Sequence, residues 1–318
     1  MSANGEPLIS IDSLRVQFDD LVAVRDVSLK LPASCLVGLI GPNGAGKTTF
    51  IRALAGLQAP TRGLVHVLGE RVVPGNIAAL RHIGFTPDTP PAYDELTVRQ
   101  FLQMIGKGYQ LSTSEADERI DFWLEKVWLT DKAAVKVKQL SRGMRQRLGI
   151  ARTLLPNPTV ILLDEPAAGL DPAGRVQFRQ LLMNLRDQGK TLIVSSHILA
   201  DMSEYCTHIA IMAAGAIVQF GTVAQVAGNG AIEGRCRYTI VLASPVAGID
   251  RMLASIEGVA DVQVDSGDRI MLEYFIERDR AAALLRELIA RQIPVASFAI
   301  NTQGLEEAYL RTGIRQVD

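Results

Sequence analysis

Residues 41–48 read GPNGAGKT and match the phosphate-binding pattern G-x-x-x-x-G-K-[ST] at every fixed position. An almost wholly apolar segment, residues 36–40, precedes this loop, and residues 49–57 are expected to form a helix. The glycines let successive backbone N–H groups turn inward, where a helix start also favours an anion. Lys47 would then reach the β and γ phosphates of a nucleotide, and the Thr48 hydroxyl would bind the Mg²⁺ that bridges them.

A second apolar segment, residues 160–163, is followed directly by two acids, Asp164 and Glu165. On its own, such a pair is typical of a solvated turn. Beside a complete phosphate loop, one carboxylate can hold Mg²⁺ through water and the other can meet an attacking water. Asp164 suits the metal and Glu165 suits the base.

The composition excludes several other classes of protein. The formal charge is 33 − 34 = −1, so the charge balance shows no obvious electrostatic footprint for nucleic acid. Its three cysteines are far apart and predict neither a disulfide framework nor a zinc site. The longest apolar run, residues 209–218, is ten residues long, against the ~18 to 20 that a membrane-spanning helix needs. Residues 1–7 also lack the features of a secretory signal.

Hydrophobic periodicity predicts an α/β fold. Leu14, Val16 and Phe18 alternate with polar residues as in a half-buried strand. The short apolar runs at residues 160–163 and 192–194 predict further strands of one parallel sheet. Residues 97–155 change to helical character and form a predicted helical insert. Its buried faces are expected to be Phe101, Leu102 and Ile105 on one helix and Phe122, Trp123 and Val127 on another.

A second, smaller domain is predicted after a glycine-rich break at residues 228–230. The order of its patterns is β-α-β-β-α-β, which is the ferredoxin-like α+β arrangement. We therefore divide the chain into domains 1–226 and 227–318. The smaller domain has no cluster of acids, histidines or cysteines, so a structural or dimerising role is favoured over a regulatory ligand site.

Further motifs give the chain a family resemblance. Residues 140–147 read LSRGMRQR, residues 168–172 read AGLDP, and residues 195–197 read SSH. Together with the phosphate loop and the acidic pair they make five ordered motifs, and across residues 8–225 the chain resembles the ATP-binding cassette (ABC) ATPases. The resemblance implies a parallel-sheet nucleotide-binding core with antiparallel N-terminal strands and a helical insert.

The resemblance also implies roles for individual residues. Glu165 would polarise the attacking water, His197 would hydrogen-bond the γ-phosphate, and Lys47 would complete the catalytic set. Ser141 and Gly143 would contact the ATP held by a second copy of the chain, so that two copies pair head to tail. The residues implied to bind ATP are Phe18, Gly41, Pro42, Asn43, Gly44, Ala45, Gly46, Lys47, Thr48 and Thr49, with Ser141 and Gly143 in trans; those implied to bind Mg²⁺ are Thr48, Asp88 and Asp164.

Three positions depart from the family pattern. Phe18 stands where the adenine-stacking residue is usually Tyr, and its ring can still stack. Asp88 replaces the usual Gln of the loop that senses the metal, and a carboxylate can still bind Mg²⁺. Arg142 stands where a second glycine is commoner. We interpret all three as variation within a working enzyme.

The segment TVRQFL at residues 97–102, the Arg-rich signature and the ferredoxin-like tail resemble the ABC-2 type exporter ATPases. This resemblance implies a peripheral protein on the cytoplasmic face of the cell membrane, with a separate membrane permease as partner and no nucleic acid. The alternative is a soluble ABC ATPase that acts on nucleic acid or ribosomes. The long coiled-coil insertions, zinc-binding cysteines or second cassette typical of such proteins are not found in this sequence. A P-loop kinase or GTPase would leave the signature segment unexplained.

Overall fold

The structure is a computed structural model, and it describes residues 7–89, 93–196, 202, 204–226, 235–275 and 277–300. Its contacts divide the chain into two compact units between Phe220 and Gly221. The predicted domain boundary at residues 226–227 lies a few residues further on and remains a prediction. Of the helices in the described ranges, none combines the length and the apolar character required to cross a bilayer.

The first unit contains two sheets. An antiparallel sheet has the order β2-β1-β4-β5, and a six-stranded sheet has the order β10-β9-β3-β8-β7-β6, in which β6, β7, β8, β3 and β9 run parallel. The strands are β1 (Ile9–Phe18), β2 (Leu21–Leu31), β3 (Leu36–Ile40), β4 (Arg62–Val67), β5 (Glu70–Arg71), β6 (Ile83–Thr86), β7 (Val160–Leu163), β8 (Thr191–Ser196), β9 (His208–Ala213) and β10 (Ala216–Thr222).

Strands β3, β7 and β8 are buried along their whole length, as expected for parallel strands covered on both faces. The helices of this unit are α1 (Lys47–Leu54), α2 (Ile77–Leu80), α3 (Val98–Gly108), α4 (Thr113–Lys126), α5 (Arg142–Leu154) and α6 (Pro172–Asp187). The predicted helix at residues 49–57 therefore begins two residues earlier and ends at Leu54. Its earlier start places Lys47 in the first turn.

Helices α3 to α5 make up the helical insert, and polar caps fix where they begin. The Thr97 hydroxyl accepts a hydrogen bond from the backbone N–H of Gln100. The Gln100 side chain in turn accepts one from the backbone N–H of Thr97. Ser112 and Ser141 cap α4 and α5 by accepting the N–H groups of Glu115 and Met144. Each cap satisfies backbone groups that a helix start otherwise leaves without a partner.

The prediction of which residues of α4 are buried is partly wrong. Val127 is buried, but the Phe122 side chain is 48% exposed, whereas the buried face of the helix carries Ala116, Ile120 and Leu124. The two successive aromatic residues Phe122 and Trp123 favoured a buried face at this position. Phe122 instead lies edge-on against Trp123 at the surface, with the Lys126 ammonium 5.3 Å from the centre of its ring.

The second unit has the predicted ferredoxin-like arrangement. Its elements are α7 (Val223–Val226), β11 (Arg235–Leu242), α8 (Ile249–Ala254), β12 (Ala260–Ser266), β13 (Arg269–Phe275), α9 (Arg278–Ala290) and β14 (Val295–Ile300). The sheet is antiparallel with the order β12-β13-β11-β14. Its core packs Tyr238, Ile240, Leu272 and Tyr274 against Leu253 of α8 and against Leu284 and Leu288 of α9.

Candidate nucleotide-binding site

The phosphate loop connects β3 to α1, and its last glycine caps the helix. Gly46 has a φ of 101°, in the left-handed region that glycine adopts without strain. A Cβ atom on Gly46 would lie only 2.2 Å from the carbonyl oxygen of Ala23 on β2. Only glycine therefore fits at this position, and its presence leaves the N-terminus of α1 open to an anion.

Two neighbouring segments hold the loop in place. The Gly215 N–H, in the turn between β9 and β10, donates to the Ala45 carbonyl at 3.0 Å. The Gly215 carbonyl in turn accepts the N–H of Arg25 on β2 at 2.7 Å. Because both sheets contribute to this chain of hydrogen bonds, the loop conformation is fixed by backbone contacts with several elements.

Lys47 is the buried cation of the site. Its side chain is only about 7% exposed, and Nζ donates to the carbonyl oxygens of Gly41 at 2.7 Å and Pro42 at 3.1 Å. Nζ also lies 3.9 Å from Oε1 of Glu165. Burial lowers the pKa of Lys47, and the negative charges of Glu165 and Asp164 oppose that shift. A buried ammonium beside the N-terminus of a helix is suited to bind phosphate.

The two acids at the end of β7 are positioned by Ser195 of the adjacent strand β8. The Ser195 hydroxyl donates to Oδ1 of Asp164 at 2.6 Å and accepts the backbone N–H of Glu165 at 2.8 Å. Asp164 is only 2% exposed. Glu165 has a φ of 46°, in the left-handed region where a residue with a side chain is strained. Such strain occurs where surrounding contacts impose it, often at functional sites.

These elements surround a cavity of about 560 Å³, within the range typical of small-molecule sites. Backbone and side chains of residues 42–49 form one wall, so predicted site residues Pro42, Asn43, Gly44, Ala45, Gly46, Lys47, Thr48 and Thr49 all line it. Asp88 and Glu165 lie on the same cavity. The remaining lining comes from Leu21, Val22, Ala23 and Arg25 of β2 and from Ala214 and Gly215.

Other predicted site residues do not line this cavity. Phe18, at the end of β1, is 43% exposed and is not part of the lining. Gly41 contributes only its carbonyl, which accepts a hydrogen bond from Lys47, and Asp164 lies behind Glu165 against Ser195. Ser141 and Gly143 are at the start of α5, away from the lining. His197 falls outside the residues that the structure describes.

Two residues of the site were not singled out from the sequence. The sequence points to Ser195 only as part of the SSH motif, and the apolar run before it predicts a further strand of the parallel sheet but not which strand lies beside it. Arg25 is an exposed residue on a strand with an ordinary alternating pattern. Only the tertiary contact of β2 with the turn at Gly215 brings Arg25 to the cavity.

The comparisons with known proteins agree with this geometry. The family model described as ABC transporter matches residues 24–168. The chain is 39% identical over 209 residues to the uncharacterized ABC transporter ATP-binding protein sll0415 of Synechocystis sp., covering 65% of this chain and 58% of that protein. It is 30% identical over 304 residues to the uncharacterized ABC transporter ATP-binding protein YxlF of Bacillus subtilis, covering 96% of this chain and 99% of that protein.

The daunorubicin resistance ATP-binding protein DrrA3 of Streptomyces coeruleorubidus is 30% identical over 95% of this chain and 94% of its own length. Among solved structures, a dimeric post-hydrolysis state of the ATP-binding cassette MJ0796 bound to ADP and Pi matches with a TM-score of 0.62 and 26% identity. That match covers 67% of this chain and 98% of the other. With a phosphate loop, a buried lysine and an acidic strand end around one cavity, this chain belongs to the ATP-binding proteins of the ABC transporter family.

Proposed function

We propose that the chain binds MgATP in the cavity at residues 42–49 and hydrolyses it to drive a separate membrane permease of the ABC-2 exporter type. The observation that carries this proposal is the approach of Glu165 to Lys47, which puts a carboxylate base beside the group that would hold the terminal phosphates. The family membership supports nucleotide binding. The full-length similarity to DrrA3, whose name refers to daunorubicin resistance, supports the exporter class.

The residues at the cavity fit a magnesium ion as well as a triphosphate. Mg²⁺ binds oxygen ligands and is usually held by one or two carboxylates together with substrate phosphates. The Thr48 hydroxyl and the Asp88 carboxylate line the cavity and would hold the ion, with Asp164 acting through water from behind. When bound, Mg²⁺ would neutralise charge on the phosphate oxygens.

In this arrangement each residue has a distinct task. Lys47 and the N–H groups of residues 43–48 bind and orient the phosphates. Glu165 accepts a proton from the attacking water, and Ser195 keeps the Glu165 backbone and the Asp164 carboxylate in place. His197, proposed from the family resemblance to bind the γ-phosphate, would complete the set.

We further propose that two copies enclose the nucleotide between them. Ser141 and Gly143 would then meet the ATP of the other copy, and Phe18 would stack on its own adenine. The absence of Ser141 and Gly143 from the cavity of their own chain supports a role in trans. The dimeric state of the related cassette MJ0796 also supports it. ATP would favour the closed pair because it binds the closed state more tightly than the open one.

The permease would hold the chain at the cytoplasmic face of the membrane, as a peripheral protein. The division into an ATPase domain, residues 1–226, and an accessory domain, residues 227–318, belongs to the same proposal. The accessory domain would serve a structural or dimerising role.

Fractionation of a cell lysate tests the transporter assignment. We expect the chain to sediment with membranes and to be released by a high-pH wash that strips peripheral proteins. Sedimentation with ribosomes or nucleic acid, lost after nuclease treatment, would contradict the transporter assignment and support the soluble alternative.

A further inference from the structure

Glu165 lines a second cavity in addition to the nucleotide cavity. This second cavity has a volume of about 240 Å³ and is bordered by the loop of residues 166–169, by Ser195 and Ser196, and by Arg142 and Arg175. A water molecule takes up about 30 Å³ of liquid, so the space can hold a small solvated ion. The function proposed above uses neither arginine.

The charges on the described lining favour an anion. Arg142 and Arg175 bring two guanidinium groups, against one carboxylate, Glu165. Arginine remains charged and presents donors in a planar fork that matches phosphate oxygens. Ser195 and Ser196 also line the cavity, but the Ser195 hydroxyl already donates to Asp164 and does not contribute a donor to the anion.

Arg175, on the first turns of α6, has an unsatisfied donor. Its Nε is buried and has no hydrogen-bond partner in the part of the chain that the structure describes. Buried donors in folded proteins almost always have a partner, so an orphaned one calls for an acceptor such as water or an ion. Arg175 also lines the second cavity, so a shift of its guanidinium towards an oxyanion there would supply that acceptor.

Arg142 is held against the loop that borders the cavity. Its Cδ lies 3.2 Å from the place where a Cβ on Gly169 would be, so the arginine stem packs on this glycine. Gly169 has a φ of 85°, which favours glycine, and the absence of a side chain there leaves room for Arg142. The residue that departs from the usual signature pattern thus lies on the border of the cavity.

We propose that the second cavity binds inorganic phosphate, and this inference rests on the proposed hydrolysis of ATP. Because Glu165 lines both cavities, phosphate formed beside it is released next to the cavity that carries the two arginines. Glu165 opposes a bound dianion when it is ionised, so we expect weak binding, as suits a product that must leave. Arg175 and Arg142 are the binding residues.

Equilibrium dialysis with labelled inorganic phosphate tests the proposal. The measurement uses the full chain carrying Lys47→Ala, since phosphate could also occupy the loop at Lys47. In that background Arg175→Gln is expected to weaken phosphate binding about tenfold, as for loss of one charge-assisted hydrogen bond. Arg175→Lys should recover only part of the affinity, because it keeps the charge but loses the planar fork and the Nε donor. Arg186→Gln, on the same helix and paired with its neighbour Asp187, is the matched control and should have no effect.

Equal phosphate affinity with and without Arg175→Gln would overturn the proposal, as would an absence of phosphate binding in the Lys47→Ala chain. Arg142→Gln, which changes an exposed side chain, provides the same test if Arg175→Gln fails to fold. ATP turnover of the unmodified chain, measured in parallel, separates a failure of this inference from a failure of the proposed ATPase function. Turnover without phosphate binding in the cavity refutes only this inference, whereas absence of turnover refutes the proposed function.

Discussion

The Lys47 ammonium lies 3.9 Å from the Glu165 carboxylate, across the cavity between the phosphate loop and the end of β7. The same ammonium donates to two carbonyl groups of its own loop. The Gly41 and Pro42 carbonyl oxygens and the Glu165 carboxylate thus hold the ammonium at the loop, where a phosphate group would bind. Nucleotide binding should therefore redirect this ammonium from Glu165 towards the phosphates and leave the carboxylate available to water.

Lys47→Ala should weaken ATP binding. Hydrogen bonds to charged groups contribute about 1.5–3 kcal/mol, so we expect the dissociation constant to rise roughly 10- to 100-fold. Titration calorimetry with ATP and Mg²⁺ gives the value. Lys126→Ala, which removes an exposed lysine of α4, is the control and should bind ATP normally. Normal ATP affinity in the Lys47 variant would contradict the role assigned to the loop.

Glu165→Gln should abolish most hydrolysis and spare binding. A positioned general base accelerates a reaction by roughly 10²- to 10⁴-fold, and the amide cannot accept the proton. Phosphate release measured at saturating ATP gives the turnover, and calorimetry on the same variant gives the affinity. Turnover equal to that of the unmodified chain would show that another group acts as base.

Ser195→Ala should reduce both stability and turnover. It removes the partner of the Glu165 N–H and of the Asp164 carboxylate, and a buried polar group left without a partner costs about 1–3 kcal/mol. We expect the free energy of unfolding in urea to fall by that amount. The turnover number should fall more than the ATP affinity, because Ser195 touches the acids and is not part of the nucleotide-cavity lining. A variant with unchanged stability and turnover would rule out this positioning role.

Arg25→Gln should lower ATP affinity by a few-fold. Exposed charge pairs contribute about 0.2–1 kcal/mol, and Arg25 is an exposed residue on the cavity wall. The effect should be larger for ATP than for AMP, and it should shrink at high salt. Lys30→Gln, on the same strand but outside the cavity lining, is the matched control. Equal losses for ATP and AMP would show that Arg25 does not act on the phosphates.

The sequence was sufficient to predict the phosphate loop and the parallel core around it. A buried strand, a glycine turn and a helix start occupy consecutive residues, so the position of Lys47 follows from local chemistry. The ferredoxin-like order was equally readable, because alternation at Tyr238, Ile240 and Leu242 differs clearly from helical spacing. Both structural predictions are confirmed by the sheet orders of the two units.

Features that depend on distant parts of the chain could not be predicted in this way. The link from Ser195 to Asp164 joins residues 31 positions apart, and it requires β7 and β8 to pair in one particular register. The sequence pattern does not reveal the exposure of Phe122, because its edge-on contact with Trp123 and the nearby Lys126 ammonium arise only at the surface of the folded helix. The roles of Phe18, Ser141, Gly143 and His197 remain predictions, since they involve a nucleotide or a second copy.

The turnover rate per molecule across a dilution series tests most directly whether two copies share each ATP. If Ser141 and Gly143 complete the site of a second copy, turnover per molecule should fall on dilution as pairs separate. Light scattering of Glu165→Gln with ATP and Mg²⁺ should then report twice the mass seen without nucleotide. Constant turnover per molecule at every dilution, together with a single-chain mass in the presence of ATP, would contradict the shared site.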